Sequence, residues 1–508
     1  MSARPGMRKV LSSVAALLGG PASAVLLMVA LEPRGWQGVA WFSLVPLLSS
    51  LEHHRENARL RFADGFGFGL FFAAGSLSWF AGTALPAGEE PGGIAGIAAA
   101  GICLLRWCAL AIFPAVVALA AGPLLRTRRI AAPLFGIPVL WAGLETLRGS
   151  FAPVRSEWFS GWLYLGHALS PDSPEAQTAS LAGVHSLSLA VAFTGTALSL
   201  VPREIRASRQ AMLALVALAV PLSMRAFGLV SLLQAAPRTT FIAGVASHGG
   251  ALVDRARLTW KLGREKPEIV VWPPIEPDGM GLEEGSVTRV QREVVDLARA
   301  LDSTLIAAAE ADIDGGERVA GTLVMSRSGH PSFHLGRAPP RHLEVHAREA
   351  GPAGIYTGPR GKIGLVPGFD LDEPTVSREV VQRGARILVA SASTHPEWGV
   401  RGEAQHARLQ RFRAVENRRW LIRSAPSFAF IADPYGRLVL EFEGVEASGS
   451  EGVEMVEAKC FYTRLGWWIE PASLLGATWT LAWALMRSVT KGRGGRVESG
   501  GELDHYLQ

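Results

Sequence analysis

Eight stretches of this chain are long and apolar, and their placement is uneven. Seven fall in the first half, near residues 10–30, 36–51, 64–84, 94–122, 130–147, 180–201 and 211–235, and one near the end, at about 467–486. Several reach the roughly 20 residues that a helix needs to cross a hydrocarbon core, so the pattern predicts a polytopic α-helical membrane domain of about eight spans. The first two runs are shorter or interrupted by glycine, and their ends are the least sharp. Arg4, Arg8 and Lys9 ahead of the first run also fit a signal peptide, but the further spans behind it favour a retained helix.

Between the seventh and eighth runs the period changes. Short β-branched stretches bounded by glycine and proline read as strands at 239–247, 267–273, 303–310, 321–326, 362–368, 385–393, 420–425, 428–434 and 437–442. Helical periodicity marks 286–301, 375–385 and 402–419. This alternation supplies enough apolar positions for one core. It suits an α/β four-layer sandwich, with helices outside paired sheets. The expected organisation is a transmembrane domain of about seven helices (1–236), an α/β domain (237–460), and a final span with a basic tail (461–508).

Composition and charge sharpen this picture. Of 508 residues, 49% are hydrophobic and 19% charged, and the mean hydropathy is +0.22, high for a soluble chain. Bases collect in the N-terminus, at 53–61, at 126–129, at 203–209 and in the tail 486–496. With eight spans, these are the two termini and every second loop, whereas the loop 86–93 carries two acids and no base. Basic loops stay in the cytoplasm. Both termini are therefore expected there, with the α/β domain on the periplasmic side of a bacterial inner membrane and Arg34 as the exception. The net charge of +5 is then a topology signal. No aromatic-interleaved basic patch accompanies it, so no nucleic acid partner is expected. Cys103 and Cys108 fall in the fourth span and Cys460 just before the last, without disulfide or metal-ligand spacing.

Candidate chemistry starts at residues 268–277, EIVVWPPIEP, where a buried-strand pattern breaks at Trp272-Pro273-Pro274. Upstream stand PVLWAGLETLRG (138–149), FSGWLYLGHALS (159–170) and GVHSLSLAV (183–191). Downstream, 405–438 carries an Arg-Ala-x-Glu block (Arg413, Glu416) and a strand pair ending in Asp-Pro-x-Gly, and FYTRLGWW (461–468) approaches the last span. In this order, on this membrane pattern, the chain resembles the apolipoprotein N-acyltransferases. These are a membrane-anchored branch of the carbon–nitrogen hydrolase (nitrilase) superfamily, whose fold is the same four-layer sandwich.

The resemblance implies an acid, a lysine and a cysteine acting as base, oxyanion stabiliser and nucleophile. Pro274 stands at the acid position, after Trp-Pro. Pro340 stands at the lysine position, in RAPPRHLEV (337–345), which keeps Arg341, His342 and Leu343. Gly368 stands at the cysteine position, in KIGLVPGFD (362–370). None of the three can move a proton or attack a carbonyl carbon. Substitutes are available on paper: Glu276 follows the lost acid, Lys362 precedes the lost cysteine, and Ser391, Ser393, His395 and Asp370 gather at strand ends where a Ser-His-Asp set could form. Each also has a plainer reading, as a solvated acid, a strand-flanking base, packing serines and a turn histidine. Cys460 reads as a packing or linker thiol. Arg413 and Glu416 read as a structural pair at helical spacing, the glutamate bracing the site in the family. Trp162, Tyr164, Trp398, Trp467 and Trp468 are candidates for the lipid interface.

Losing one member of a coupled catalytic unit commonly removes several orders of magnitude of rate. The expectation is therefore a catalytically inactive relative that binds membrane phospholipid, with a lipoprotein or an active N-acyltransferase as partner and no cofactor or metal. The alternatives are an active phospholipid-to-lipoprotein N-acyltransferase with a divergent site, and a membrane-tethered structural module.

Overall fold

Helices fill the first half of the computed structural model, which describes residues 18–32, 35–84, 93–150, 161–233, 241–247, 252–275, 289–313, 317–328, 331–336, 354–392, 398–444 and 446–500. They are α1 (Gly19–Leu31), α2 (Val45–His53), α3 (Ala58–Ser76), α4 (Gly93–Leu125), α5 (Ala131–Ser150), α6 (Ala179–Leu200) and α7 (Ala207–Leu233). Among the described residues, α4, the stretch Glu175–Arg203 containing α6, and α7 are long and apolar enough to cross a membrane. The run expected at 36–51 departs from a single helix. It folds as a 3-10 segment (Gln37–Phe42) followed by α2, whose first turn is fixed by Pro46. Neither piece alone could cross; laid end to end they would rise about 26 Å, a little under the thickness of a hydrocarbon core.

Close packing of these helices depends on small residues. A Cβ added to Gly65 of α3 would lie 2.6 Å from Pro114 O of α4, and one on Gly69 would lie 2.5 Å from Ala111 Cα. Apolar helices meeting in lipid gain their contact in this way. In α6 the helix breaks at Ala182 and Gly183, the latter at φ +69. It restarts at Val184, whose N–H is accepted by Glu416 of the α/β part at 2.9 Å.

The α/β part begins with β1 (Phe241–Ser247), α8 (Leu252–Leu262), β2 (Ile269–Val271), α9 (Arg289–Ala300), β3 (Thr304–Ile313), β4 (Glu317–Met325) and β5 (Pro331–Leu335). It continues with β6 (Ile355–Gly358), β7 (Gly361–Leu365), α10 (Pro374–Gln382), β8 (Ile387–Ser391), α11 (Gly399–Asn417) and β9 (Leu421–Ser424). After β10 (Phe428–Ala432), β11 (Leu438–Glu443) and β12 (Ala447–Val453), α12 (Phe461–Leu465) and α13 (Ile469–Gly500) return to the apolar helices. Two six-stranded sheets result, ordered β12-β1-β2-β3-β4-β5 and β11-β10-β9-β8-β7-β6. Each has a parallel centre, β1-β2-β3 or β7-β8-β9.

Val245, Ile269, Val271 and Ile306 of one sheet meet Ile363, Leu365, Ile387 and Ile422 of the other. Leu258 and Leu262 of α8, with Val294 and Leu297 of α9, cover the outer face of the first sheet. Val376 and Val380 of α10, with Ala407 and Ala414 of α11, cover that of the second. The layers are therefore helix, sheet, sheet, helix. The nine strands expected from the sequence all form, and β5, β6 and β12 come in addition. β12 reads ASGSEGV, a poor strand by propensity, and is held by antiparallel pairing with β1 along seven positions.

The helix α11 ties these layers to the apolar helices. Buried Arg408 donates to Ala30 O, Leu31 O, Glu32 O and Ala168 O, at 2.6 to 3.3 Å. Three of these carbonyls close the C-terminal end of α1, where no intrahelical donor remains. Burial lowers the Arg408 guanidinium to about 10, which leaves it charged at neutral pH.

Candidate functional site at the Gly368 loop

Parallel strands deliver their following loops to one rim of a sheet, the usual place for ligands in α/β folds. Beyond β7, Val366 donates to Val389 O at 2.9 Å, which keeps the chain beside β8 as far as Pro367. It then turns into a 3-10 segment, Gly368–Asp372. Gly368 adopts φ +50, in the left-handed region that suits glycine. Apart from its chain neighbours, a Cβ added there would have no atom of the described residues within 4 Å. The position to which the nucleophile is assigned by resemblance thus has room for a side chain and carries none.

Asp372 ends this turn and gathers three partners. Its Oδ1 lies 2.7 Å from His406 Nε2 and 2.8 Å from Gln410 Nε2, and its Oδ2 accepts from Trp162 Nε1 at 2.9 Å. Gln410 also donates to Gly368 O at 3.2 Å, and Arg423 Nε donates to Gln410 Oε1 at 2.5 Å. Burial pushes the Asp372 carboxyl up, but the His406 charge and the hydrogen bonds from His406, Trp162 and Gln410 outweigh it and hold the group below the usual carboxylate range. Burial lowers Arg423 to about 10.

Aromatic rings enclose this network. Trp79 lies 5.1 Å from Trp398 and 5.6 Å from Trp162, between ring centroids. Trp162 and Phe369 stack on His406 at 5.2 and 5.7 Å. Trp79 belongs to the 3-10 segment Ser78–Ala84 that follows α3, and its Nε1 donates to Gln405 Oε1 at 2.9 Å. A Cβ on Gly402 would come within 2.9 Å of the Trp79 ring, so this glycine permits the approach. These rings stand in contact with one another beside the loop.

This arrangement is poorly suited to general-base or nucleophilic work. His406 directs Nε2 at Asp372, and its Nδ1 faces Arg423 at 3.5 Å. One ring nitrogen is thus committed to Asp372 and the other stands before a guanidinium, so neither is placed to take a proton from a substrate. Cys460 Sγ donates to Glu416 O at 2.9 Å and lies 3.2 Å from Thr463 Oγ1. Glu416 is ten residues from His406 on α11, so this thiol stands about 15 Å along the helix from the rim.

The other residues singled out in the sequence fall as follows. Pro274 is half-buried, and its carbonyl accepts from Arg255 at 2.8 Å. Glu276, Pro340, Ser393 and His395 lie outside the described residues. Lys362 is exposed at the opposite end of β7, donating to Arg383 O at 3.3 Å. Six residues of extended chain place it about 20 Å from Gly368, so it is no substitute at this rim. Ser391 is buried at the end of β8, and its Oγ makes no hydrogen bond among the described residues. Asp370 is buried in the Gly368–Asp372 turn. Arg413 and Glu416 are fully buried, with Arg413 Nε 3.0 Å from Glu416 Oε2. Burial pushes the Glu416 carboxyl up, against the opposite pull of Arg413 and the Val184 amide.

The expected lipid-facing aromatics need correction. Trp162, Tyr164 and Trp398 are buried within the protein, at 2%, 2% and 1% exposure. Trp162 donates internally to Asp372, the Arg148 guanidinium lies over the Tyr164 ring, and Trp398 packs against Trp79. Trp467 and Trp468 are exposed, at 63% and 45%. Asp372, His406, Gln410, Arg423 and Trp79 were not singled out in the sequence. A signal for part of the set exists in α11, where Glu403, His406, Gln410, Arg413 and Asn417 recur at three- and four-residue intervals.

A family model described as the apolipoprotein N-acyltransferase N-terminal domain matches residues 23–197. An apolipoprotein N-acyltransferase of Geobacter metallireducens is 28% identical over 520 residues, covering 92% of this chain and 94% of the relative. One of Gloeobacter violaceus is 28% identical over 510 residues, covering 91% and 92%. Among solved structures, an amidase from Nesterenkonia sp. AN1 overlaps 46% of this chain and 96% of its own, with a TM-score of 0.38 and 13% identity. A carbon-nitrogen hydrolase from Helicobacter pylori G27 overlaps 42% and 89%, with a TM-score of 0.36 and 16% identity.

Proposed function

Because this chain belongs to the apolipoprotein N-acyltransferase family, we propose that it is a membrane-embedded member that binds lipid or lipoprotein at the Gly368 rim without transferring an acyl group. The observation that carries this reading is Gly368 itself, a left-handed glycine, open among the described residues, where acyl transfer requires a thiolate. The neighbouring His406 is held between Asp372 and Arg423 and offers no replacement base. An eight-span arrangement takes the two short helical pieces at 37–53 as one crossing, their summed rise of about 26 Å approaching a hydrocarbon core. The charge pattern then places both termini in the cytoplasm and the α/β domain outside the inner membrane.

The experiment is an acylation assay on a diacylated lipopeptide with the full-length protein in phospholipid nanodiscs. No lysophospholipid above empty nanodiscs is expected, while the lipopeptide is still retained by the protein. Release above that control supports instead the activity named for the curated relatives and overturns the inactive reading. The triple variant Pro274→Glu, Pro340→Lys and Gly368→Cys tests whether the cradle still positions a substrate. Recovered acyl transfer in that variant would assign the loss to these three positions.

A further inference from the structure

Helix α8 carries two apolar stripes, and only one of them is covered among the described residues. Leu258 and Leu262 turn to the first sheet and are buried there. Val253 and Trp260 stand on another face, at 72% and 54% exposure, with half-buried Ala256 between them. Intervals of three and four residues align these side chains along about 10 Å of helix.

The layering of the fold limits what can cover this stripe. Arg408 of α11 donates to the end of α1, and Glu416 of α11 accepts from α6, so α11 lies along the apolar helices. It covers the outer face of the second sheet, whereas α8 covers the outer face of the first. At about 10 Å for each layer, α8 is some 30 Å farther from the apolar helices than α11 is. Lipid is out of reach there. A second copy in the same membrane is excluded as well, because both copies turn this face away from the bilayer.

Charge narrows the choice further. Lys261, Arg264 and Lys266 are exposed, and none has an ion pair or hydrogen bond among the described residues. The acids around them are engaged. Asp254 and Glu446 stand 3.4 and 3.6 Å from Arg257, Glu265 accepts from Ser450, and Glu268 holds Arg360 at 2.7 Å. A cation in the last turn answers the helix dipole, which accounts for Lys261. It does not account for Arg264 and Lys266 beyond the helix, nor for the indole ahead of them.

We propose that this strip of α8 docks an amphipathic helix with an apolar stripe and acidic flanks, carried by a protein on the water side of the membrane. Val253, Ala256 and Trp260 repeat at the intervals at which facing helices interlock, and the partner's carboxylates meet Lys261 and Arg264. An anionic glycan would also meet the cations, but its hydroxyls need acceptors beside the indole, and the acids there are taken. The inference needs only that the apolar helices lie in a bilayer, and it stands whether or not the Gly368 rim is inert.

Fluorescence polarisation of labelled three-heptad peptides with the full-length protein in nanodiscs, corrected for empty nanodiscs, tests it. A helix with a leucine stripe and glutamate flanks should bind wild type, and the same helix with lysine flanks should not. Trp260→Ser should weaken binding about tenfold. Lys261→Glu combined with Arg264→Glu should abolish it and capture the lysine-flanked peptide instead. All three side chains are exposed, and unfolding temperatures matching wild type will show that the fold is kept. Absence of binding to wild type would overturn the proposal, as would undiminished binding by Trp260→Ser. A scrambled peptide of the same charge, lacking the stripe, should bind poorly, and equal binding would reduce the contact to charge alone and overturn it. Polygalacturonate displacing the label as well as unlabelled peptide does would replace it with a glycan site.

Discussion

Asp372 joins residues from three parts of the chain, since Trp162 precedes β1 while His406 and Gln410 belong to α11. Asp372→Asn removes the charge that His406 and Trp162 address and turns an amide against Gln410. Breaking a buried charged pair from one side costs roughly 3 kcal/mol, to be read as a lowered unfolding temperature in detergent. The effect carries a pH signature. The folded carboxyl titrates below its ordinary value, so its contribution is complete above about pH 4 and fades as the pH falls through the depressed value. Wild type and variant should therefore differ by a constant amount between neutral and mildly acidic pH and converge in stronger acid. A gap that persisted in strong acid would show that the carboxylate charge is not the stabilising element. Gly368→Cys meets open space but must hold φ +50, a strain of about 1–2 kcal/mol. The variant should fold and be alkylated by iodoacetamide, and a resistant thiol would mean that the space is closed. Gly368 and Pro274 were legible in the sequence because their flanks match a known pattern. The Asp372–His406 contact was not, since its members stand 34 residues apart in different elements and only the turn after β7 brings them together.

At the scale of an element, α11 departs most from what its pattern suggests. Polar residues at helical spacing normally mark a solvent face. In α11 the stripe Glu403, His406, Gln410, Arg413 and Asn417 is buried, because it faces the Gly368–Asp372 turn and the apolar helices. The same helix carries Arg408, whose four carbonyl partners include the C-terminal end of α1. Arg408→Met keeps most of the buried stem and removes every donor. Removing the Arg408 donors from the carbonyls of Ala30, Leu31 and Ala168, while Glu32 O keeps the Gly35 N–H, should cost roughly 2–4 kcal/mol. The loss should appear first as faster amide hydrogen exchange at the end of α1, ahead of any change in β7 or β8. Uniformly faster exchange would instead mean that Arg408 supports the whole fold and not this junction. Sequence periodicity placed the helix at 402–419 within a few residues, but it could not show which face was covered. That depends on a partner more than 230 residues away, as with Ala168 beneath Arg408.

For the whole molecule, two kinds of pattern were readable for different reasons. The central strands carry β-branched runs because both of their faces are covered, by the opposite sheet and by helices. The edge strands β5, β6 and β12 lack such runs and are specified by their neighbours, so the sequence was silent on them. Charge placement reports on sidedness, which the packing of helices cannot do, since the positive-inside bias arises during insertion. This can be tested with single cysteines in a chain whose Cys103, Cys108 and Cys460 are replaced by serine. Arg264→Cys, on the exposed turn between α8 and β2, should react with a membrane-impermeant maleimide in intact spheroplasts. Arg128→Cys, exposed between α4 and α5, and Arg206→Cys, exposed ahead of α7, should react only after lysis. Reaction of Arg128→Cys and Arg264→Cys under the same condition would place both on one side of the membrane. The α/β domain would then lie with the basic loops, and the Gly368 rim would face cytoplasmic lipid.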